Sequence, residues 1–135
     1  MSSYWDSSAV LNAAVSTAVK GRLGTGAHYA RLHTYVEAFH VMTGRGIPLS
    51  GGLLKWTADD CAAWLKEFAA KVDAVDLDKA ELMAALEKAQ SRNVSGGHVY
   101  DYLHALAADK ANADELLTRN TSDFTGLTNA KVEWP

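Results

Sequence analysis

The chain has 135 residues, of which 48% are hydrophobic and 21% charged, and its formal net charge at pH 7 is −3. This length and composition indicate a single globular domain, residues 1–135, and exclude a disordered chain. The small negative charge excludes a general electrostatic attraction to nucleic acid, so any such binding needs a local basic patch or bound cations.

The cysteine content and the N-terminal residues bear on the cellular compartment. A single cysteine, Cys61, excludes an internal disulfide framework and a zinc site built from cysteines. Its neighbours in CAAW indicate a buried thiol, which fits a reducing compartment. The apolar run AVLNAAVSTAV follows Asp6 without a basic stretch and is too short to span a membrane. We therefore expect a cytoplasmic protein without a membrane segment.

Hydrophobic periodicity, glycines and capping residues divide the chain into alternating strands and helices. The first half predicts, in order, a strand over residues 3–5, a helix over 8–20, a glycine-rich loop over 21–27, a helix over 28–43 and a turn-rich connection over 46–52. The second half predicts a helix over 58–71, a strand over 72–77, a helix over 79–93, a helix from residue 99, a strand over 115–118, a turn or short helix over 121–124 and an edge strand over 130–135. Thr57 and Asp78 are the expected N-caps of two of these helices. Strands that alternate with helices predict an α/β fold with a mainly parallel sheet.

Polar side chains follow two of the predicted strands directly. Asp6 comes after the first strand, and Asn120 and Asp123 come after the third. In an open parallel sheet the binding site forms outside the carboxyl ends of the strands. The sequence therefore predicts that these three side chains meet at one edge of the sheet.

Asp101 lies in the first turns of a largely apolar helix in the segment SGGHVYDYLHALAA, and His104 follows one turn later. An acid near a helix N-terminus is stabilised by the helix dipole by only a few tenths of a kcal/mol. Taken alone, Asp101 fits that role and the role of a functional carboxylate equally well.

Glu37 lies in the segment HTYVEAFHVM, where His33, Glu37 and His40 share one helical face. This spacing is compatible with a zinc site, although no further soft ligand is close in sequence. The alternative is an ordinary polar helix face that carries a buried or capped glutamate.

Four segments, in this order, resemble the PIN domains of VapC-type ribonuclease toxins from bacterial toxin–antitoxin pairs. They are YWDSSAVL, HTYVEAFHVMTGRG, SGGHVYDYLHALAA and ADELLTRNTSDF. The resemblance covers essentially the whole chain. It implies a three-layer α/β/α fold around a central, mainly parallel sheet of four to five strands.

The resemblance also implies an activity. In that family, acidic residues bind one or two divalent cations, usually Mg²⁺ or Mn²⁺, and the enzymes cut the phosphodiester backbone of RNA. Carried over, Asp6, Glu37 and Asp101 match the three main acids, and Asp123 matches a further acid that is less regular. Asn120 falls on the fourth catalytic position, where the all-acid pattern has a carboxylate. The implied metal ligands are the four acids.

Further residues and partners follow from the same resemblance. Ser8 and Thr118 match small hydroxyl positions that support the site, and His104 is expected to be a supporting residue rather than a ligand. Arg119 is a candidate phosphate contact. Three arginines from neighbouring segments are further candidates: Arg22, Arg31 and Arg45. The implied partners are an RNA substrate, a cognate antitoxin protein and a second copy of the chain in a homodimer.

Two other interpretations start from the same residues. Because Asn120 replaces an acid, the domain could be a catalytically impaired module that binds RNA or protein. Retention of Asp6, Glu37 and Asp101 argues against such decay. A hydrolase with a nucleophilic aspartate after its first strand needs a second acid two residues later, where this chain has Ser8. That interpretation is therefore disfavoured.

Overall fold

The computed structural model describes residues 1–135 and contains seven strands, six α-helices and three short 3₁₀ segments. The strands are β1 (Ser2–Trp5), β2 (Ala27–Ala30), β3 (Ile47–Leu49), β4 (Gly52–Leu54), β5 (Asp73–Ala74), β6 (Glu115–Leu117) and β7 (Lys131–Glu133). The helices are α1 (Ser7–Val15), α2 (Thr17–Gly21), α3 (Leu32–Thr43), α4 (Ala58–Ala69), α5 (Lys79–Lys88) and α6 (His98–Lys110). The 3₁₀ segments are Arg22–Gly24, Gln90–Arg92 and Thr121–Phe124.

Five strands form one sheet in the order β5-β2-β1-β6-β7, and every neighbouring pair is parallel. The remaining strands, β3 and β4, form a separate antiparallel hairpin. Along the chain the sheet grows from β1 through β2 to β5 on one side, and then returns to the other side of β1 with β6 and β7. The direction of growth therefore reverses between β1 and β6. The predicted α/β fold with a mainly parallel sheet of four to five strands is confirmed.

The sheet separates two hydrophobic cores because successive side chains of a strand point to opposite faces. On one face Trp5 and Leu117 pack with buried side chains of α1, α2, α3 and α4. On the other face Tyr4 and Leu116 pack with α5, α6 and the 3₁₀ segment that contains Phe124. The result is a three-layer α/β/α arrangement.

Two of the predicted helix starts are confirmed by their caps. The Thr57 hydroxyl accepts a hydrogen bond from the Asp60 amide at the start of α4. Asp78 and Glu81 form a reciprocal capping box at the start of α5, with distances of 2.8 and 2.9 Å. Such caps satisfy amide groups that have no partner within the helix. The thiol of Cys61 is buried, as its neighbours indicated.

The predicted helix over residues 28–43 is wrong in its first part. Residues Ala27–Ala30 form β2, and α3 begins only at Leu32. The strand is short, and its histidine and alanines have no strong local preference for extended structure. Its pairing with β1 on one side and β5 on the other holds it extended. Gly26, with a φ of 81°, turns the chain into this strand.

Three other expected boundaries differ from the structure. The helix predicted over residues 8–20 is divided at Ser16, whose hydroxyl accepts a hydrogen bond from the Val19 amide and caps α2. The connection over 46–52 contributes to the β3–β4 hairpin, and the strand over 72–77 is reduced to Asp73–Ala74.

No helix of the structure has both the length and the apolar character that crossing a membrane requires.

Candidate active site at the carboxyl edge of the sheet

The candidate site lies where the strand order reverses. β1 and β6 are neighbours, and the backbone amide of Asp6 donates a hydrogen bond to the Leu117 carbonyl over 3.2 Å. The chain leaves both strands at the same edge, so Asp6 and Thr118 are the first residues beyond them. Ligands of open α/β sheets bind outside the carboxyl ends of the strands at such a reversal.

Asp6 is 4% exposed and is the N-cap of α1. Its Oδ1 accepts hydrogen bonds from the Ser8 hydroxyl at 2.6 Å and from the Ala9 amide at 2.9 Å. Burial raises the pKa of Asp6 above its ordinary value of 3.8, although the nearby His104 and the hydrogen bonds act in the opposite direction. The carboxylate is thus fixed in position and is costly to keep charged.

The two supporting hydroxyls connect the strand ends to the segment after β6. The Ser8 hydroxyl, which donates to Asp6, also accepts a hydrogen bond from the Arg119 amide at 2.9 Å. Thr118 is fully buried, and its hydroxyl accepts from the Asn120 amide at 3.1 Å. Both hydroxyls therefore orient the backbone that presents Arg119 and Asn120 at the edge of the sheet.

Asp101 and Asp123 line one polar cleft, with a volume of about 420 Å³, between α6 and the last 3₁₀ segment. Burial raises the pKa of Asp101, and the negative charges of Asp123 and Asp6 raise it further. The positive influences of His98 and His104 only partly compensate. The structure therefore places Asp101 within electrostatic reach of Asp123 and of Asp6.

Glu37, the fourth predicted acid, is paired with His104. The buried His104 ring lies 3.1 Å from Glu37 Oε1 through Nε2 and 2.7 Å from the Tyr4 hydroxyl through Nδ1. A carboxylate only accepts, so Nε2 donates to Glu37, and in the neutral ring Nδ1 accepts from Tyr4. Burial raises the pKa of Glu37, but the hydrogen bond and the charge of His104 outweigh it, and the pKa lies below its ordinary value.

The donor set at this edge suits a hard cation, since carboxylate oxygens are the ligands that Mg²⁺ and Mn²⁺ prefer. In this structure no group of three or more His, Cys, Asp or Glu side chains is arranged to hold a metal ion. The helical face with His33, Glu37 and His40 likewise forms no such group. The His33 ring stacks on Tyr100. Asp101 therefore interacts electrostatically with Asp123 and Asp6, but the acids do not form a metal coordination sphere.

The candidate arginines have different surroundings. Arg119 is exposed, and its side chain makes no ion pair in the structure. Arg31 lies at the end of β2, with Nε 3.5 Å from Asp76 Oδ1 and a buried Nη1 that has no hydrogen-bond partner. Arg22 pairs with Glu115 at 2.7 Å near the start of β6, so its charge already has a partner within the protein. The Arg22 charge is used inside the fold.

Sequence reasoning missed two residues next to the acids. Tyr4 is buried with its hydroxyl 2.7 Å from His104 Nδ1, and burial raises the pKa of that hydroxyl. Its position two residues before Asp6 on the predicted strand was the only sequence signal for it. His98 hydrogen bonds through Nε2 to the Asp123 carbonyl at 2.8 Å, and this contact joins the start of α6 to the last 3₁₀ segment.

Comparison with known proteins adds no relative to this description. No protein-family model matches the chain, and no curated protein matches it. The basis for a functional assignment is the set of acids, hydroxyls and cationic groups where the strand order reverses.

Proposed function

We propose that the chain is a metal-dependent endoribonuclease of the PIN-domain type, acting as the VapC-like toxin of a toxin–antitoxin pair. The observation that carries the proposal is the position of Asp101, which lines one cleft with Asp123 and lies within electrostatic reach of Asp6, the residue that follows β1 where the strand order reverses. The four segments that resemble PIN domains supply these acids in the order that the family uses. A cytoplasmic location fits an RNA substrate and the reduced, buried thiol of Cys61.

Asp6, Asp101 and Asp123 are the proposed ligands of Mg²⁺ or Mn²⁺, with Glu37 as the fourth acid. Burial raises the pKa of Asp101, the negative charges of Asp123 and Asp6 raise it further, and a bound cation would offset these effects. His104 engages only one oxygen of Glu37 and fixes the orientation of that side chain. Bound metal would supply a water of lowered pKa and neutralise charge on the phosphoryl oxygens.

The protein's own groups prepare this site before any ligand arrives. The Ser8 hydroxyl and the Ala9 amide hold Asp6 in one orientation, so little entropy is lost when it binds a cation. The exposed Arg119 side chain follows directly after Thr118 at the same edge, where it is available to an RNA phosphate. Phosphate contacts of this kind position the strand without selecting its sequence.

Asp101→Asn and Asp6→Asn are expected to abolish metal-dependent cleavage of RNA while leaving the fold intact. Each substitution removes a charged ligand and keeps the size of the side chain. Cleavage is measured on single-stranded RNA in Mn²⁺ and in Mg²⁺, and the fold by circular dichroism. Asp59→Asn is the matched control, since Asp59 is an exposed acid in the first turn of α4. Near wild-type cleavage by either folded site variant contradicts the proposal.

A second candidate is a catalytically impaired domain that binds RNA or protein. Asn120 at the fourth position favours it, because an amide contributes no charge to a cation site. The pairing of Glu37 with His104 also favours it. Wild-type protein that binds RNA but does not cleave it in either metal, and that gains cleavage through Asn120→Asp, would establish this candidate.

The proposed protein partners are an antitoxin and a second copy of the chain. Three apolar side chains on one face of α3 support this proposal because they are exposed at helical spacing: Leu32, Val36 and Phe39. Exposed apolar patches of this kind are typical of protein interaction sites.

A further inference from the structure

A groove of about 220 Å³ lies between α1, the β3–β4 hairpin and the residues after β7. Its lining combines aromatic, apolar, amide and cationic groups. The residues used below are Ser8, Asn12, Pro48, Arg119 and Trp134. A volume below the 300–1,000 Å³ of most small-molecule pockets fits one planar ring better than a large ligand.

One residue connects this groove directly to the proposed catalytic edge. Ser8 lines the groove, its hydroxyl donates to Asp6 Oδ1 at 2.6 Å, and the same hydroxyl accepts from the Arg119 amide at 2.9 Å. The groove therefore begins one hydrogen bond away from a proposed metal ligand. A strand whose phosphate lies at the acids has its neighbouring nucleotide within reach of this groove.

Two side chains of the groove are left with free binding capacity. Trp134 is 43% exposed, and its indole stacks on no other ring of the protein. The Arg119 guanidinium makes no ion pair. An exposed tryptophan next to an unpaired arginine is the combination that binds a base and its phosphate in single-stranded RNA.

We infer that this groove binds the unpaired base of a nucleotide adjacent to the scissile phosphate, an inference that rests on the proposed ribonuclease function. The base stacks on Trp134 beside Pro48, the Asn12 amide hydrogen bonds to its edge, and Arg119 contacts the phosphate. Amide groups both donate and accept, so Asn12 can distinguish one base edge from another. The groove thus makes cleavage depend on the base next to the cut.

The test measures binding of fluorescein-labelled single-stranded RNA decamers, oligo(A), oligo(C) and oligo(U), by fluorescence anisotropy in EDTA. Trp134→Ala is expected to weaken binding about tenfold, and Trp134→Phe to retain most of the affinity because it keeps an aromatic face. Arg119→Ala is expected to weaken binding of all three RNAs and to lower its salt dependence. Lys66→Ala is the charge-matched control, since Lys66 is exposed on α4 away from the groove.

The outcomes separate this inference from the ribonuclease proposal. RNA binding that depends on Trp134 without cleavage in Mn²⁺ supports the groove and overturns the nuclease. Metal-dependent cleavage with equal RNA affinities for wild type and Trp134→Ala overturns the groove and leaves the nuclease standing. Absence of RNA binding by the wild-type protein in EDTA also overturns the groove. Tryptophan fluorescence that is quenched by RNA in wild type but not in Trp134→Phe locates the base on this residue.

Discussion

Neutralising Glu115 is expected to destabilise the protein, whereas neutralising Asp101 is expected to stabilise it when no divalent cation is present. Glu115 is 4% exposed at the start of β6 and accepts hydrogen bonds from the Ser3 hydroxyl at 2.6 Å and from Arg22 at 2.7 Å. Burial raises the pKa of Glu115, but these hydrogen bonds outweigh it and the pKa lies below its ordinary value of 4.5. Its charge is therefore satisfied, while that of Asp101 is not.

The size of the Glu115 effect follows from these contacts. Glu115→Gln keeps the shape and both hydrogen bonds but removes the charge, and charged hydrogen bonds contribute about 1 kcal/mol more than neutral ones. Two such bonds, with Arg22 partly open to solvent, give a loss of about 1–2 kcal/mol in the free energy of unfolding. In a domain of this size that lowers the melting temperature by roughly 3–8 °C. Asp101→Asn removes repulsion from Asp123 and Asp6, so its melting temperature rises.

The assay is thermal unfolding of wild type, Glu115→Gln and Asp101→Asn in EDTA between pH 3 and pH 8. A depressed pKa stabilises above the unfolded pKa of Glu115, and this contribution disappears as the pH falls through the folded value. The difference between wild type and Glu115→Gln therefore shrinks in acid. The raised pKa of Asp101 has the opposite sign, so its cost disappears as the carboxyl becomes protonated. Melting temperatures that move in the same direction in both variants at pH 7 would refute this reasoning.

Two further predictions concern the cation and the partner. Mg²⁺ or Mn²⁺ at a hundredfold excess over Kd should stabilise the wild type by about 2.7 kcal/mol, or roughly 8–10 °C in a thermal-shift titration, and EDTA should reverse the shift. The melting temperature of Asp101→Asn should change little when metal is added. Asn120→Asp should have a lower melting temperature without metal and should bind metal more tightly. Equal melting-temperature shifts in wild type and Asp101→Asn would mean that the acids share no site. Expressed alone, the chain should inhibit growth of its host, and expressed with the neighbouring gene it should purify as a complex. Harmless expression of active protein that does not bind the neighbour's product would contradict the toxin assignment.

The position of the candidate site was predicted from sequence because it depends on where strands end. Asp6 and Asp123 each follow a recognisable buried strand, and parallel strands bring their carboxyl ends to one edge. The N-caps Thr57 and Asp78 were also predicted from sequence, since an N-cap is a local arrangement of side chain and amide. These features need only neighbouring residues or the general geometry of a sheet.

The features that sequence did not reveal depend on contacts between distant segments. β2 is extended because it pairs with strands on both sides, and nothing within Ala27–Ala30 itself requires that conformation. Helical spacing placed Glu37 with two histidines of its own helix, whereas its partner is His104, 67 residues further along the chain. The groove at Trp134 is likewise assembled from α1, the hairpin and the residues after β7. Side-chain direction and packing between segments decide these arrangements.

The carboxylates near the two ends of the central strands differ in their partners. At the amino end, Glu115 lies in register with Ser3 and forms an ion pair with Arg22. At the carboxyl end, no lysine or arginine pairs with Asp6, Asp101 or Asp123, and burial raises the pKa of both Asp6 and Asp101. The hydrogen bonds from Ser8 and Ala9 compensate the Asp6 charge only in part, because burial still raises its pKa. The cost is recovered if a ligand supplies the positive charge, and this difference between the two ends supports a cation-dependent site at the carboxyl edge.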